Sequence, residues 1–203
     1  MLDNLRGHFM TITRHKMMVM QMCFKIGLYK QGLLHDLSKY SPIEFWSGVK
    51  YYQGHRSPIN AEKEEKIVSP AWLHHKGRNR HHFEYWIDYS VQTRGGPDQG
   101  NESNGKMIGM KMFKRYVAEM VVDRICASKN YQKENYKDSH PLEYYMRGLP
   151  IMKLDPETEY LTRYLLTMLS RKGEDYTLSF MKHRLLKHPY RDYHVVDGRL
   201  YLD

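Results

Sequence analysis

The sequence predicts an all-α fold with a small β-hairpin at its C-terminal end, and three observations predict it. Apolar residues recur every three or four positions in long segments near residues 5–28 and 110–128. Ser-Pro or Asp-Pro steps open further segments at residues 41–42, 57–58, 69–70 and 155–156, as a capping residue followed by Pro at the first helical position would. Asp197-Gly198 lies between two short apolar runs near the end of the chain, which is a hairpin signal.

The first helix carries Ile12, His15, Met18, Val19, Met22 and Ile26 on one stripe, with Arg14, Gln21 and Lys25 opposite. His15 therefore faces inward. Gly27 and Gly32 bracket the end of this helix and introduce Leu33-Leu34-His35-Asp36-Leu37-Ser38-Lys39. There an imidazole and a carboxylate sit side by side, walled by leucines. A carboxylate in such surroundings needs a partner or a metal. Ser41, Pro42 and Glu44 read as a capping box that starts a helix running to about residue 53. Glu62-Lys63-Glu64-Glu65-Lys66 reads as a solvated helix face.

His74-His75 and His81-His82 follow, seven residues apart. On an unbroken helix that spacing puts the two pairs on one face. Gly77 and Asn79 would alternatively break the helix and place the second pair at the start of another. Four histidines in nine residues make poor core filling, whereas histidine is the commonest metal ligand.

Residues 94–109 are rich in Gly, Asn, Ser and Asp and read as a long loop. Within them residues 100–107 imitate a phosphate-binding loop, but Met107 stands where Ser or Thr is required and no strand is expected before it, so the match is rejected. The helix at 110–128 has Tyr116, Met120, Asp123 and Ala127 on its stripe, which turns Asp123 inward. Asp155-Pro156-Glu157 starts a further helix with Leu161, Leu165, Met168 and Leu169 inside, and a short helix across 178–187 precedes the hairpin.

At 203 residues the chain fits one domain: a core at about 10–130, a helical extension at about 140–188 and a tail at 189–203. Its 41% hydrophobic and 27% charged residues are ordinary for a globular protein. Cys23 and Cys126 make no disulfide framework and read as buried small hydrophobes. No run is long and apolar enough to span a membrane, and Lys16, Gln21 and Lys25 interrupt the first apolar segment, which argues against a signal peptide. The expectation is a cytoplasmic protein with no membrane partner. The net charge of +9 favours phosphorylated ligands and leaves nucleic acid open as a partner, although the basic residues are scattered.

His15, then His35-Asp36, then Asp123, with histidine pairs before the last, resemble the HD-domain superfamily of metal-dependent phosphohydrolases. His-Asp-Leu-Ser-Lys looks like that family's HDxGK form. The resemblance implies an HD-like helical bundle with a first metal on His15, His35, Asp36 and Asp123. It also implies a second metal, bridged by Asp36, on members of the set His74, His75, His81 and His82, with a bridging hydroxide as nucleophile. Mixed N/O ligation suits one or two ions of Fe, Mn, Co, Ni or Zn. The substrate implied is a small phosphorylated compound such as a nucleotide. The Gly-Tyr-Pro signature of the branch that cleaves cyclic di-GMP is replaced here by Phe83-Glu84-Tyr85-Trp86, which points away from that substrate.

Lys39 is the expected phosphate-stabilising cation, followed by Arg78 and Arg80. Glu84 is expected as a proton shuttle or an orienting partner of a ligand histidine, and Glu119 could orient a histidine in the same way or lie on the surface. Two other functions compete: an oxygen-dependent di-iron enzyme on the same scaffold, and a non-catalytic basic nucleic-acid-binding protein.

Overall fold

The computed structural model describes residues 1–90 and 106–203. The chain is mostly helical. In order come α1 (Leu2–Lys25), α2 (Tyr29–Leu34), α3 (Pro42–Lys50), α4 (Pro58–Lys66), α5 (Pro70–Lys76), α6 (Lys114–Gln132), α7 (His140–Gly148), α8 (Pro156–Lys172) and α9 (Glu174–Phe180). Two antiparallel ribbons complete it: β1 (Ile87–Ser90) with β2 (Lys106–Gly109), and β3 (Tyr193–Val196) with β4 (Arg199–Leu202). No helix among the described residues is long and apolar enough to cross a membrane.

Helix α6 is the axis of the fold. Val117, Ala118, Met120, Val121, Val122, Ile125 and Cys126 bury it on nearly every side, against α1, α7 and α8. Its true core residues differ from the expected stripe, since Tyr116 and Ala127 are only half-buried. Cys23 and Cys126 are free and fully buried in this core, as the sequence suggests.

Gly32 sets how closely α2 lies on α1. A Cβ there would meet the Cys23 side chain at 2.9 Å and the Met20 carbonyl oxygen at 3.1 Å. That close approach brings the following His35-Asp36 step over α1 and α6. Lys16 of α1 then donates to the carbonyls of Leu33 (2.7 Å) and His35 (3.0 Å), satisfying the otherwise unpaired C-terminal end of α2.

The hairpin forms where expected. Asp197 and Gly198 both have positive φ (49° and 68°), the backbone that a two-residue turn of this hand requires. Tyr193 is fully buried, with its hydroxyl 3.2 Å from Thr158 Oγ1, and the Val195 amide donates to Glu157 of α8 at 2.7 Å. Asp155 caps α8 through Thr158 N, also as expected.

Four local expectations are corrected. Ser41 does precede α3, but its hydroxyl makes no capping bond, and the Glu44 carboxylate is buried and bonded to His74 and His75 of α5 instead of to its own helix end. Glu62 is 2% exposed instead of solvated, and accepts from Lys66 and from the hydroxyl of Ser69. Leu33, Leu34 and Leu37 are about half exposed and do not wall the His-Asp step. Residues 106–109 of the expected loop form β2, paired with a β1 that precedes it. The remainder of that loop, with most of the rejected phosphate-loop match, lies outside the described residues.

Candidate metal centre

Asp36 is the pivot. It has φ +54°, a left-handed conformation uncommon for a residue with a side chain and costing about 1–3 kcal/mol. This kink between α2 and the short turn Leu37–Tyr40 sends His35 and Asp36 inward (2% and 1% exposed) while the neighbouring leucines face out.

Two groups of donors converge on it. In the outer group His15 of α1, His35, Asp36 and Asp123 of α6 meet. His15 Nε2 lies 2.9 Å from Asp123 Oδ1 and 3.9 Å from Asp36 Oδ2. His35 Nε2 lies 3.4 Å from Asp36 Oδ2 and 3.7 Å from Asp123 Oδ1. In the inner group, Asp36 Oδ1 lies 3.3 Å from His75 Nε2 and 3.5 Å from His81 Nε2, and His75 Nε2 lies 2.8 Å from His82 Nε2. Asp36 thus turns one oxygen to each group.

The donors fit cations. Two ligands about 2.1 Å from a common ion lie about 3.0 Å apart at a right angle and about 3.4 Å apart at the tetrahedral angle. The separations above cluster around those values. Three inward atoms, His35 Nε2, Asp36 Oδ1 and His81 Nε2, are buried without a hydrogen-bond partner, which a native interior rarely tolerates. An ion in the outer group would satisfy the first, and an ion in the inner group the other two.

A second layer of carboxylates orients the rings. Glu44 accepts from His74 Nδ1 at 2.6 Å and His75 Nδ1 at 2.7 Å. Glu119, 4% exposed, has its Oε1 3.1 Å from His35 Nδ1 and 3.2 Å from His81 Nδ1. With Nδ1 so engaged, Nε2 of His35, His75 and His81 points into the centre, the arrangement by which metal-binding imidazoles are commonly fixed. Asn79 closes the inner side, its amide donating to the His75 carbonyl at 2.8 Å and to Ser38 Oγ at 2.9 Å.

Electrostatics follow the same plan. Burial opposes ionisation of Asp36, but the charges of His35 and Lys39 outweigh it and hold the carboxyl well below its usual range. Asp123 is likewise held low against burial by His15 and His35, and Glu119 falls to about 2 through its bonds to His35 and His81. Burial pushes His82 well below the usual imidazole range, with His81 and His75 adding to the effect.

Of the expected ligands, His15, His35, Asp36, His75, His81, His82 and Asp123 come together and His74 does not. Adjacent residues on a helix point about 100° apart, so only one member of a pair on α5 can face Asp36. Helix α5 ends at Lys76, and His81-His82 occupy a turn, where both rings can converge.

Lys39 Nζ lies 2.6 Å from Asp36 Oδ2. Arg78 is exposed and donates to the His74 carbonyl at 3.2 Å, at the end of α5, and Arg80 is exposed as well. Glu84 belongs to neither donor group; its carboxyl is raised by burial, and Oε2 has no partner. Sequence reasoning missed Glu44, whose position after Ser-Pro reads as capping, and left Glu119 undecided.

The family described as Family of unknown function (DUF5662) matches residues 4–168. The chain belongs to that family. The match spans every donor of both groups as well as Glu44 and Glu119, and the hairpin lies beyond it. No curated protein and no solved structure matches the chain.

Proposed function

We propose that this protein is a metal-dependent phosphohydrolase acting on a small phosphorylated compound, such as a nucleotide, at a dinuclear centre of the HD type. The observation that carries the reading is Asp36, with Oδ2 among the outer donors and Oδ1 among the inner ones. His15, His35 and Asp123 would complete the first ion's ligands, and His75, His81 and His82 the second's. Cations so held lower the pKa of water and neutralise charge on a phosphoryl group. The N/O donor set suits Fe, Mn, Co, Ni or Zn.

The rest of the reading rests on the chain's own groups. Lys39 is 31% exposed in its side chain and its ammonium adjoins the outer oxygen of Asp36, which supports a role in binding an incoming phosphoryl group. The Asp123 side chain is 17% exposed, against 8% for His15 and 4% for His75, so substrate would arrive from the outer side. Glu44 and Glu119 hold the imidazoles in place throughout. The order His15, His35-Asp36, Asp123 and its resemblance to HD phosphohydrolases support the same reaction.

The test is a panel of phosphomonoesters and phosphodiesters presented to metal-loaded wild type and to Asp36→Ala. Hydrolysis by the first and loss of both metal and activity in the second is the expected result. Full phosphatase activity in metal-free Asp36→Ala protein would falsify the mechanism. The histidine-rich inner group favours a second reading, oxygen-dependent di-iron chemistry. Oxygen consumption by anaerobically prepared iron-loaded protein, with a candidate substrate, would favour it over hydrolysis.

A further inference from the structure

The two orienting carboxylates do different jobs. Glu44 serves one side, its oxygens accepting from His74 and His75. Glu119 serves both, because a single oxygen, Oε1, faces Nδ1 of His35 in the outer group and Nδ1 of His81 in the inner group. Its other oxygen accepts from Gln31 Nε2 of α2 at 2.8 Å, and that amide also donates to the Arg115 carbonyl at 3.1 Å. Glu119 is thus clamped between α2 and the centre, one helical turn before Asp123.

We propose that Glu119 is a positioning residue that couples the loading of the two ions. An ion on His35 holds that ring, and the ring's Nδ1–H holds Glu119 Oε1 where it also meets His81. His81 then presents Nε2 inward at reduced cost. By linkage the effect is reciprocal, so an ion on His81 favours the outer group equally. Asp36 links the groups too, by direct bridging, so the contribution of Glu119 is read from variants that leave Asp36 intact. The inference rests on the dinuclear reading above and not on the reaction assigned to it.

The experiment titrates the metal-free full-length chain with Mn²⁺ by calorimetry and checks stoichiometry by elemental analysis. It compares wild type, Glu119→Leu, Glu119→Gln and Glu44→Leu, with circular dichroism to confirm folding. Glu119→Leu removes both acceptor oxygens, and both binding steps are expected to weaken by about 10–100-fold. Glu119→Gln keeps an oxygen for the two rings but loses the charge and the oxygen that accepts from Gln31 Nε2, so it restores both affinities only to within about threefold to tenfold of wild type. Glu44→Leu is expected to weaken one step alone.

A folded Glu119→Leu protein in which one step or neither changes, or in which the second binding constant keeps its wild-type ratio to the first, overturns the coupling. Should that variant not fold, Glu119→Gln decides, since a fall in both affinities supports the proposal and a fall in one or neither overturns it. Wild type that loads fewer than two ions also overturns it, while leaving a mononuclear hydrolase standing. Two ions without phosphatase activity would remove the reaction and leave the coupling intact.

Discussion

The outer and inner donor groups share Asp36 as a donor and Glu119 as the acceptor behind one ring of each, and differ in the rest. The outer group is assembled from α1, the α2 kink and α6, mixes two imidazoles with two carboxylates, and includes the partly exposed Asp123. The inner group takes three imidazoles from the end of α5 and the turn after it, with Asp36 as its only carboxylate. The outer group depends on long-range helix packing, with donors contributed by residues more than a hundred positions apart. The inner group depends on a local chain reversal, and on Glu44 reaching from α3 to hold His75.

Perturbations of the comparison order themselves by how many ions they remove. Asp36→Ala should empty both halves and abolish activity, read as metal content and turnover together. Asp123→Ala or His15→Ala should lose one ion, and His82→Ala should lose the other. Anomalous scattering at the metal edge distinguishes the two, and loss of the same ion in both variants would dissolve the distinction between the groups. Glu44→Leu should weaken inner binding by about 10–100-fold without displacing the outer ion, read by metal titration.

A histidine outside both groups removes no ion. His8 is packed against Phe45 and Tyr52 and is closely approached by Gly48; burial, with Lys39 adding, lowers its pKa to about 4. The folded pKa lies below the unfolded value near 6.5, so folding must exclude a proton that the unfolded chain accepts. Its stabilising contribution is therefore complete above about pH 6.5 and lost as pH falls towards 4, by up to about 3 kcal/mol. In metal-free protein, His8→Phe should flatten the decline in denaturation midpoint over that window relative to wild type. An unchanged slope would show that His8 is not the group responsible.

Much of this was legible in the sequence where a residue's role follows from periodicity. His15 falls on the stripe of α1, Asp123 interrupts an apolar helix, and Asp197-Gly198 announces its turn. The illegible parts have physical causes. Helix α6 is buried on nearly all sides and so has no single stripe to read. The left-handed backbone at Asp36 turns Leu33, Leu34 and Leu37 outward, which local composition cannot signal. Glu44 sits where an acid usually serves its own helix end, and only the packing of α3 on α5 shows that it serves histidines instead. Strands β1 and β2 are four residues each, too short to establish alternation.

The central claim is that Asp36 joins two ion sites, and the metal-to-protein ratio of reconstituted protein tests it most directly. Elemental analysis should give two ions per chain for wild type, one for His82→Ala and none for Asp36→Ala. No bound metal in wild type, or two ions retained by Asp36→Ala, would contradict it.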